Sequence, residues 1–457
     1  MNLVNIALSG LNANRVALDV TAQNVANVNT LGYSRQQALM ATVGDGKSNR
    51  LSSGMGVEVT SIRRVTDQFL VKQTWSTNSL AAYAAGYTSN MSQLENTLGA
   101  DGFSISAGLD SLNAALNDAT VKPESMPYRQ QIINESEALA RRFNTLTQSL
   151  HNQHKDMNDQ RTAALTHANS LMSNIAHVNK QIVEMQGTGG NPAQLMDTRE
   201  KLIGELSQVI EVKTTDQPDG SMQVTLVSGQ PLVMGSDFGQ LSAMPDPSDP
   251  YLADLHVNFA NQSFAIGDSV GGKLGAINDY QTDVLKPNQV ALDDMAKALA
   301  DEYNAVLATG KDLKGNAGKP LFNYDPDNPA ASLTITGLSA EELAFSSDGT
   351  PGNANVLKSL IDLSNKPVAV TGYGSVSLND AFTSMVGQTA IKARQADADY
   401  QAKLAMSKQA HTARDNVSAV NSDEEAANLM TFANAHNANM KVISTANQLF
   451  DSVLQLF

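Results

Sequence analysis

The chain has 457 residues, no cysteine and a formal net charge of −15. Its length suits roughly three domains. The acidic balance excludes a phosphate-backbone binder, which needs clustered Lys and Arg, and the missing thiols exclude cysteine catalysis, cysteine zinc sites and disulfides.

Hydrophobic residues make up 42%, charged residues 17% and aromatic residues 5%, a balance that favours helical rods over an aromatic-rich enzyme. No apolar run nears the ~18 residues of a membrane span. The first twenty residues lack the basic start and unbroken apolar stretch of a cleavable secretory signal.

In chain order, Val4, Leu11, Leu18 and Val25 recur every seven residues, and Ala7, Leu8, Ala22 and Val28 widen the stripe. This spacing predicts an amphipathic helix. Asn27, Asn29, Thr30 and Gly32 terminate it near Val28, since Gly32 can take positive φ without penalty. Tyr33 to Val43 and Gly54 to Ile62 read as extended. Helices follow from Val65 to Leu98 and from Ser104 to Ala119.

After Pro127, Leu139, Phe143, Leu146, Leu150, Met157, Leu171, Ile175, Val178, Ile182 and Met185 fall on three- and four-residue steps. An extra four-residue step near Ala164 and Ala168 is a stutter. Unbroken, this helix reaches roughly 90 Å at ~1.5 Å per residue. Gly187, Gly189, Gly190 and Pro192 end it, and Gln194 to Ile210 forms a helix packing back on it.

From Glu211 to Gly271 the apolar period becomes two (Val224, Leu226; Val257, Phe259; Phe264, Ile266), which predicts a β-rich insertion. A helix from Leu274 to Leu307 is expected to break at Pro287. A Gly-, Pro- and Asn-rich region to Gly374 holds one strand (Leu333 to Ile335) and a short helix (Val356 to Leu363), and Leu378 to Phe457 is helical almost throughout. In its last part, Leu429, His436, Ile443, Phe450 and Phe457 are seven apart, with Phe432, Asn439, Ala446 and Val453 beside them. Each end of the chain thus offers a nearly uncharged amphipathic helix that needs a partner helix to bury its stripe. Pairing of the two termini, parallel or antiparallel, is the economical solution.

No catalytic constellation stands out. Ala41 to Ser48 fits a relaxed phosphate loop, but Ser52, Ser53, Gly54 and Gly56 follow where a helix N-terminus should face the phosphates. Gly267 to Leu274 has Leu274 where magnesium needs a hydroxyl. His151 and His154 sit three apart on the long helix and read as packed or solvated rings more readily than as metal ligands. Asp325, Asp327, Glu341, Glu342 and Asp348 show no paired geometry.

Four runs go further. Asn24 to Gln37 (NVANVNTLGYSRQQ) resembles the N-terminal signature of axial flagellar proteins of rod, hook and hook–filament junction. Pro192 to Ser207 (PAQLMDTREKLIGELS), Leu313 to Phe322 (LKGNAGKPLF) and Asn421 to Phe457 narrow the resemblance to hook-associated proteins of the junction. One departure is Ala433, Asn434, Ala435 and His436, where that family usually has Gln-Gln-Ala-Tyr. The chain is also short for the family between Phe322 and Leu378, so an outermost domain is expected to be reduced or absent.

The resemblance implies a mainly α, elongated, multidomain fold with long antiparallel helices, a terminal coiled coil and a β-rich insertion. It divides the chain into an axial domain (1–35 with 421–457), a long-helix domain (36–210, 271–308 and 375–420) and a β-rich outer region (211–270 and 309–374). It also implies a structural role in the extracellular flagellum, export through the flagellar type III route without a cleaved signal, and no cofactor, metal or catalytic residue. Implied partners are the hook protein, a second junction protein next to the filament, further copies of the chain and an export chaperone on the C-terminal segment; nucleic acid and membrane insertion are not implied. A hook or rod subunit shares the N-terminal signature, and an enzyme or adhesin on an axial scaffold is the alternative from another class.

The residues expected to form the assembly interface are Val4, Leu11, Leu18 and Val25, then Asn27, Asn29, Thr30, Gly32 and Tyr33 of the signature, then Leu429, Phe432, His436, Ile443, Phe450 and Val453. In isolated monomers, 1–30 and 423–457 are expected to be poorly ordered and to fold when their stripes are buried.

Overall fold

The computed structural model describes residues 2–30, 32–44, 54–247, 249–267 and 270–455. Half of the relaxed phosphate loop (45–48), Ser52, Ser53 and the last heptad position, Phe457, lie outside these residues.

Helix α1 (Asn2–Ala26) opens the chain and leads into an antiparallel hairpin of β1 (Gln36–Thr42) and β2 (Val57–Arg64). Asp67 then caps α2 (Gln68–Gly99), accepting from Phe69 N and Leu70 N, and Ser104 caps α3 (Ile105–Ala119). These caps meet helix-end amides that no carbonyl of the helix can reach.

Helix α4 (Met126–Gly187) runs unbroken for 62 residues. Its stripe serves two separate cores. Leu139, Phe143, Leu146, Leu150 and Met157 belong to one, with α2, α3 and later helices; Ala168, Leu171, Met172 and Ile175 belong to the other, with α5 (Ala193–Val209) and the strands that follow. The stutter near Ala164 and Ala168 falls where the stripe changes partners. Between the cores lies a polar waist of buried Gln153, His154 and Arg161. Met185, assigned to the stripe by spacing, is exposed, because α4 there has run out toward its glycine-rich end.

The insertion comprises two antiparallel sheets. The first joins β3 (Val212–Asp216), β4 (Met222–Leu226), β5 (Pro231–Met234) and β6 (Asp237–Phe238). The second joins β7 (Gln240–Asp246), β8 (Asp249–Phe259) and β9 (Gln262–Ala265). Met222, Val224, Leu226, Leu255 and Val257 point into the second core, as alternation predicts.

The expected break at Pro287 does not occur. From α6 (Gly272–Tyr280) the chain stays helical through a π-helical turn at Gln281–Leu285 into α7 (Lys286–Ala308). The π turn immediately precedes the proline, which is the second residue of α7 and has no N–H to donate to the preceding turn.

Residues 309–374, grouped by composition with the β insertion, contain little sheet. Two-residue strands β10 (Phe322–Asn323) and β11 (Thr334–Ile335) pair around α8 (Pro329–Ser332), and α9 (Asn355–Asp362) precedes the small pair β12 (Val368–Val370) and β13 (Gly374–Val376). Phe322, Leu333, Phe345, Leu357 and Val370 bury into the first core, apart from the strands of 212–265. Arg129, at the start of α4, fastens this region through Ala340 O (3.1 Å) and Leu343 O (2.7 Å).

The chain returns as α10 (Leu378–Ser418), antiparallel to α2, and ends in α11 (Ser422–Leu454), which pairs with α1. Both ends are therefore helical in the folded chain. Neither α1 nor α11 contributes a residue to either core.

Candidate assembly interface

The terminal helices run antiparallel. Asn24, near the end of α1, donates to Glu425 near the start of α11 (3.1 Å), while Gly10 lies against Asn439, the same separation along each helix. The buried face of α1 is Ala7, Gly10, Ala13, Ala17, Val20, Thr21 and Asn24. A Cβ on Gly10 would stand 2.9 Å from Asn439 Nδ2, so the small residue is what lets the helices approach.

The heptad stripe is not the face that α1 and α11 share within the chain. Val4, Leu11 and Leu18 are only half-buried along its flank, and Val25 is 43% exposed. Close contact between the two helices selects small side chains on the face they share and leaves the larger apolar ones on its flank or outside it. On α11, Phe432, His436 and Ile443 are half-buried, while Leu429, Phe450 and Val453 are exposed. At this register α1 begins opposite Asn447, so the last turns of α11 extend past it with Leu449, Phe450, Val453 and Leu454 uncovered.

At the other end of the pair the signature run forms a knot. Thr30 Oγ1 donates to Asn27 Oδ1 (3.1 Å), Asn27 Nδ2 donates to Gln23 O (2.9 Å), and Asn29 is exposed. Gly32 takes φ +85°, the left-handed geometry that turns the chain back. Asn24 is then held on every side. Its Nδ2 also donates to Gln36 O (2.9 Å), and its Oδ1 accepts from the Tyr33 hydroxyl (2.9 Å) and Gln36 N (3.0 Å).

The knot reaches two distant segments. Arg64 Nη2 stands 2.7 Å from both Asp197 Oδ1 and Glu200 Oε2 on α5, with all three side chains at most 10% exposed. Ser34 N donates to Asp197 Oδ2 (3.2 Å), and Trp75 Nε1 donates to Glu200 O (3.2 Å). Arg35 pairs with Glu424 at 2.5 Å, and Arg35 N donates to Ser418 O. Burial, helped by Asp197 and Glu425, pushes the Tyr33 phenol up to about 12. Burial likewise raises the Asp197 carboxyl, against the opposing pull of Arg64. Beside the knot, a cleft of about 430 Å³ separates 27–33 from Trp75, Glu205 and His411.

Three of the four runs that carried the resemblance therefore meet at one point: Asn24 to Gln37, the Asp197–Glu200 turn of α5 and the start of α11. The fourth is mostly exposed and enters the first core only at its end, where Asn304 grips Leu321 N and Phe322 N.

Elsewhere polar groups are committed locally. Glu341 pairs with Lys314 and Glu342 with Lys319, each at 2.6 Å, and Asp348 accepts from Ser346 and Thr350 N at 2.9 Å. His151 stacks on Tyr251 and His154 packs tilted against the same ring. Among the described residues there is no group of three His, Cys, Asp or Glu placed to hold a metal, and no helix long and apolar enough to cross a membrane.

Comparison with known proteins decides the family. The sequence model of the flagellar hook-associated protein FlgK helical domain matches residues 91–322, half of the chain. The chain belongs to the FlgK family. Models of basal-body rod proteins match 5–33 and 414–456, the two halves of the terminal pair. Flagellar hook-associated protein 1 of Salmonella typhimurium is 26% identical over 554 aligned positions covering 100% of both chains, and that of Bacillus subtilis is 27% identical over 98% of this chain and 96% of the relative. The Salmonella alignment is longer than this chain, which accordingly lacks residues that the relative carries. The hook junction protein FlgK of Burkholderia pseudomallei shares the fold, with TM-score 0.70 at 16% identity over 76% of this chain and 100% of the other. As a FlgK-family member, this protein is a structural component of the flagellum at the hook–filament junction. The match across 91–322 separates it from hook and rod subunits, which share the ends.

Proposed function

We propose that the α1–α11 pair is the assembly module: an axial domain (1–35 with 421–457) that inserts into the junction, while the long-helix domain (36–210, 271–308 and 375–420) surrounds it and the remainder (211–270 and 309–374) faces outward. The reading is carried by the apolar side chains that the terminal pair leaves uncovered, among them Leu3, Leu8, Val25, Leu429, Phe450 and Val453. Such a stripe stabilises an assembly when neighbouring helices cover it, and non-self-matching contacts of this kind propagate along a helical lattice.

The hook protein below, a second junction protein toward the filament and further copies of this chain are the partners this surface serves. A chaperone holds the C-terminal segment before passage through the flagellar type III channel, which needs no cleaved signal. No catalytic role is proposed.

The test removes 1–30 or 422–457. Each truncated protein is expected to remain soluble and folded, because neither core loses a residue, yet to leave hooks without filaments in electron micrographs of a complemented deletion strain. Restoration of filaments by either truncated protein would sink the reading.

A further inference from the structure

The waist of α4 contains a buried histidine that structural assembly does not use. His154 is 1% exposed, and neither ring nitrogen has a hydrogen-bond partner. Its ring lies 4.8 Å from the Tyr251 ring, centroid to centroid, and His151 stacks on the same tyrosine at 5.1 Å. Tyr251 belongs to β8, so these ring contacts join the second sheet to the rod. Tyr251 O also accepts from Gln281 Nε2 in the π turn (3.3 Å), and Gln281 accepts from Arg161.

The charges facing His154 come from three elements. His151 and Arg161 lie on α4, Lys286 on α7, and Asp249 on β8, where Lys286 holds it at 2.9 Å. One carboxylate, already paired, faces two permanent cations. A proton on His154 would therefore enter a dry, cation-rich site with no acceptor against either N–H.

We propose that the His154–Tyr251 ring contact is an acid-sensitive latch: neutral imidazole fastens the sheet containing β8 to the long helix, and protonation releases it. The closed latch holds the His154 imidazole down at about 4, chiefly by burial, whereas the released ring titrates near 6.5. The closed state is favoured in full above pH 6.5, loses that preference as pH falls toward 4, and loses no more below it.

Hydrogen exchange of the full chain, corrected for the intrinsic pH dependence, reads this directly. Protection of peptides within Asp249–Phe259 is expected to drop roughly twentyfold between pH 7 and pH 5, while peptides of α3 keep theirs. His154→Phe keeps a ring on Tyr251 and removes the titration, so its protection should stay level across that interval. An equal loss in H154F would assign the opening to another group, such as Asp249, and overturn the latch. Should H154F fail to fold, the imidazole carbon resonances of the unaltered protein decide. Titration of His154 together with loss of strand protection supports release, and titration near 6.5 with the strands still protected refutes it.

Discussion

Asn24 and Glu425 stand 401 positions apart in the chain and 3.1 Å apart in space, joined by the amide that also holds Tyr33 and Gln36. Replacing Asn24 with Ala strips a buried phenol and a backbone N–H of their acceptor, and each such group costs about 1–3 kcal/mol. The expected outcome is faster proteolytic cleavage within 27–36 and early melting of the terminal pair, with the middle unaffected. Limited proteolysis followed by mass spectrometry locates the cut.

Arg64 is the only cation within salt-bridge distance of Asp197 and Glu200 among the described residues. Arg64→Ala leaves two buried carboxylates facing each other, for which a loss of about 3–5 kcal/mol is expected. Arg64→Met with Asp197→Leu and Glu200→Met removes the charges together and should recover much of the melting temperature. A triple variant no more stable than Arg64→Ala would show that packing, and not charge, dominates at this point.

The register of α1 on α11 is open to covalent capture. The natural chain has no cysteine, so a Gly10→Cys, Asn439→Cys variant should form a single intramolecular disulfide under mild oxidation. Gly10→Cys with Phe432→Cys places the thiols seven residues out of register, roughly 10 Å along the helix, and should stay reduced. Efficient closure of the second pair would indicate a slipped or different pairing.

Alkali tests the knot separately. In the fold the Tyr33 phenol stays protonated until about 12, while the unfolded phenol ionises near 10. Its contribution is therefore complete below pH 10 and is lost as pH rises to 12. Tyr33→Phe should flatten part of the stability loss across that interval, and phenolate absorbance should show one fewer late-ionising tyrosine. Loss of a phenol that ionises near 10 instead would place the Tyr33 hydroxyl in ordinary solvent.

Repetition made the helices legible. Periods of three and four over α1, α4 and α11, and of two over β4 and β8, set element types that tertiary packing had no reason to override. What pattern reading missed is local chemistry at single positions. Gly10, Ala13 and Ala17 form the buried seam of α1 precisely where hydrophobic scales score them low, while the larger Leu11 and Leu18 lie on its flank.

Several asparagines act as pieces of backbone. Asn169 both donates to Leu241 O and accepts from Leu241 N, Asn179 does the same for Met222, and Asn304 donates to Phe322 O while accepting from its N. A side-chain amide presents the same donor and acceptor as a peptide group, so it can pair with the open edge of a strand residue where no further strand lies alongside. The one visible signal was placement: Asn179 falls between Ile175 and Ile182 on an otherwise apolar face. The knot itself could not be read from spacing, since its carboxylates and Arg64 belong to separate elements.

The bond between Asn24 and Glu425 also sets an order of events. Closing a loop of that length in a flexible chain costs about 5 kcal/mol of entropy by chain statistics, more than one such contact returns. Two cores that need neither end can form first and confine the remaining closure to the stretches outside them, from Asn24 to Val71 and from Ala396 to Glu425. The tie between the ends is then the last stitch, drawn only after the helices and sheets between them have set.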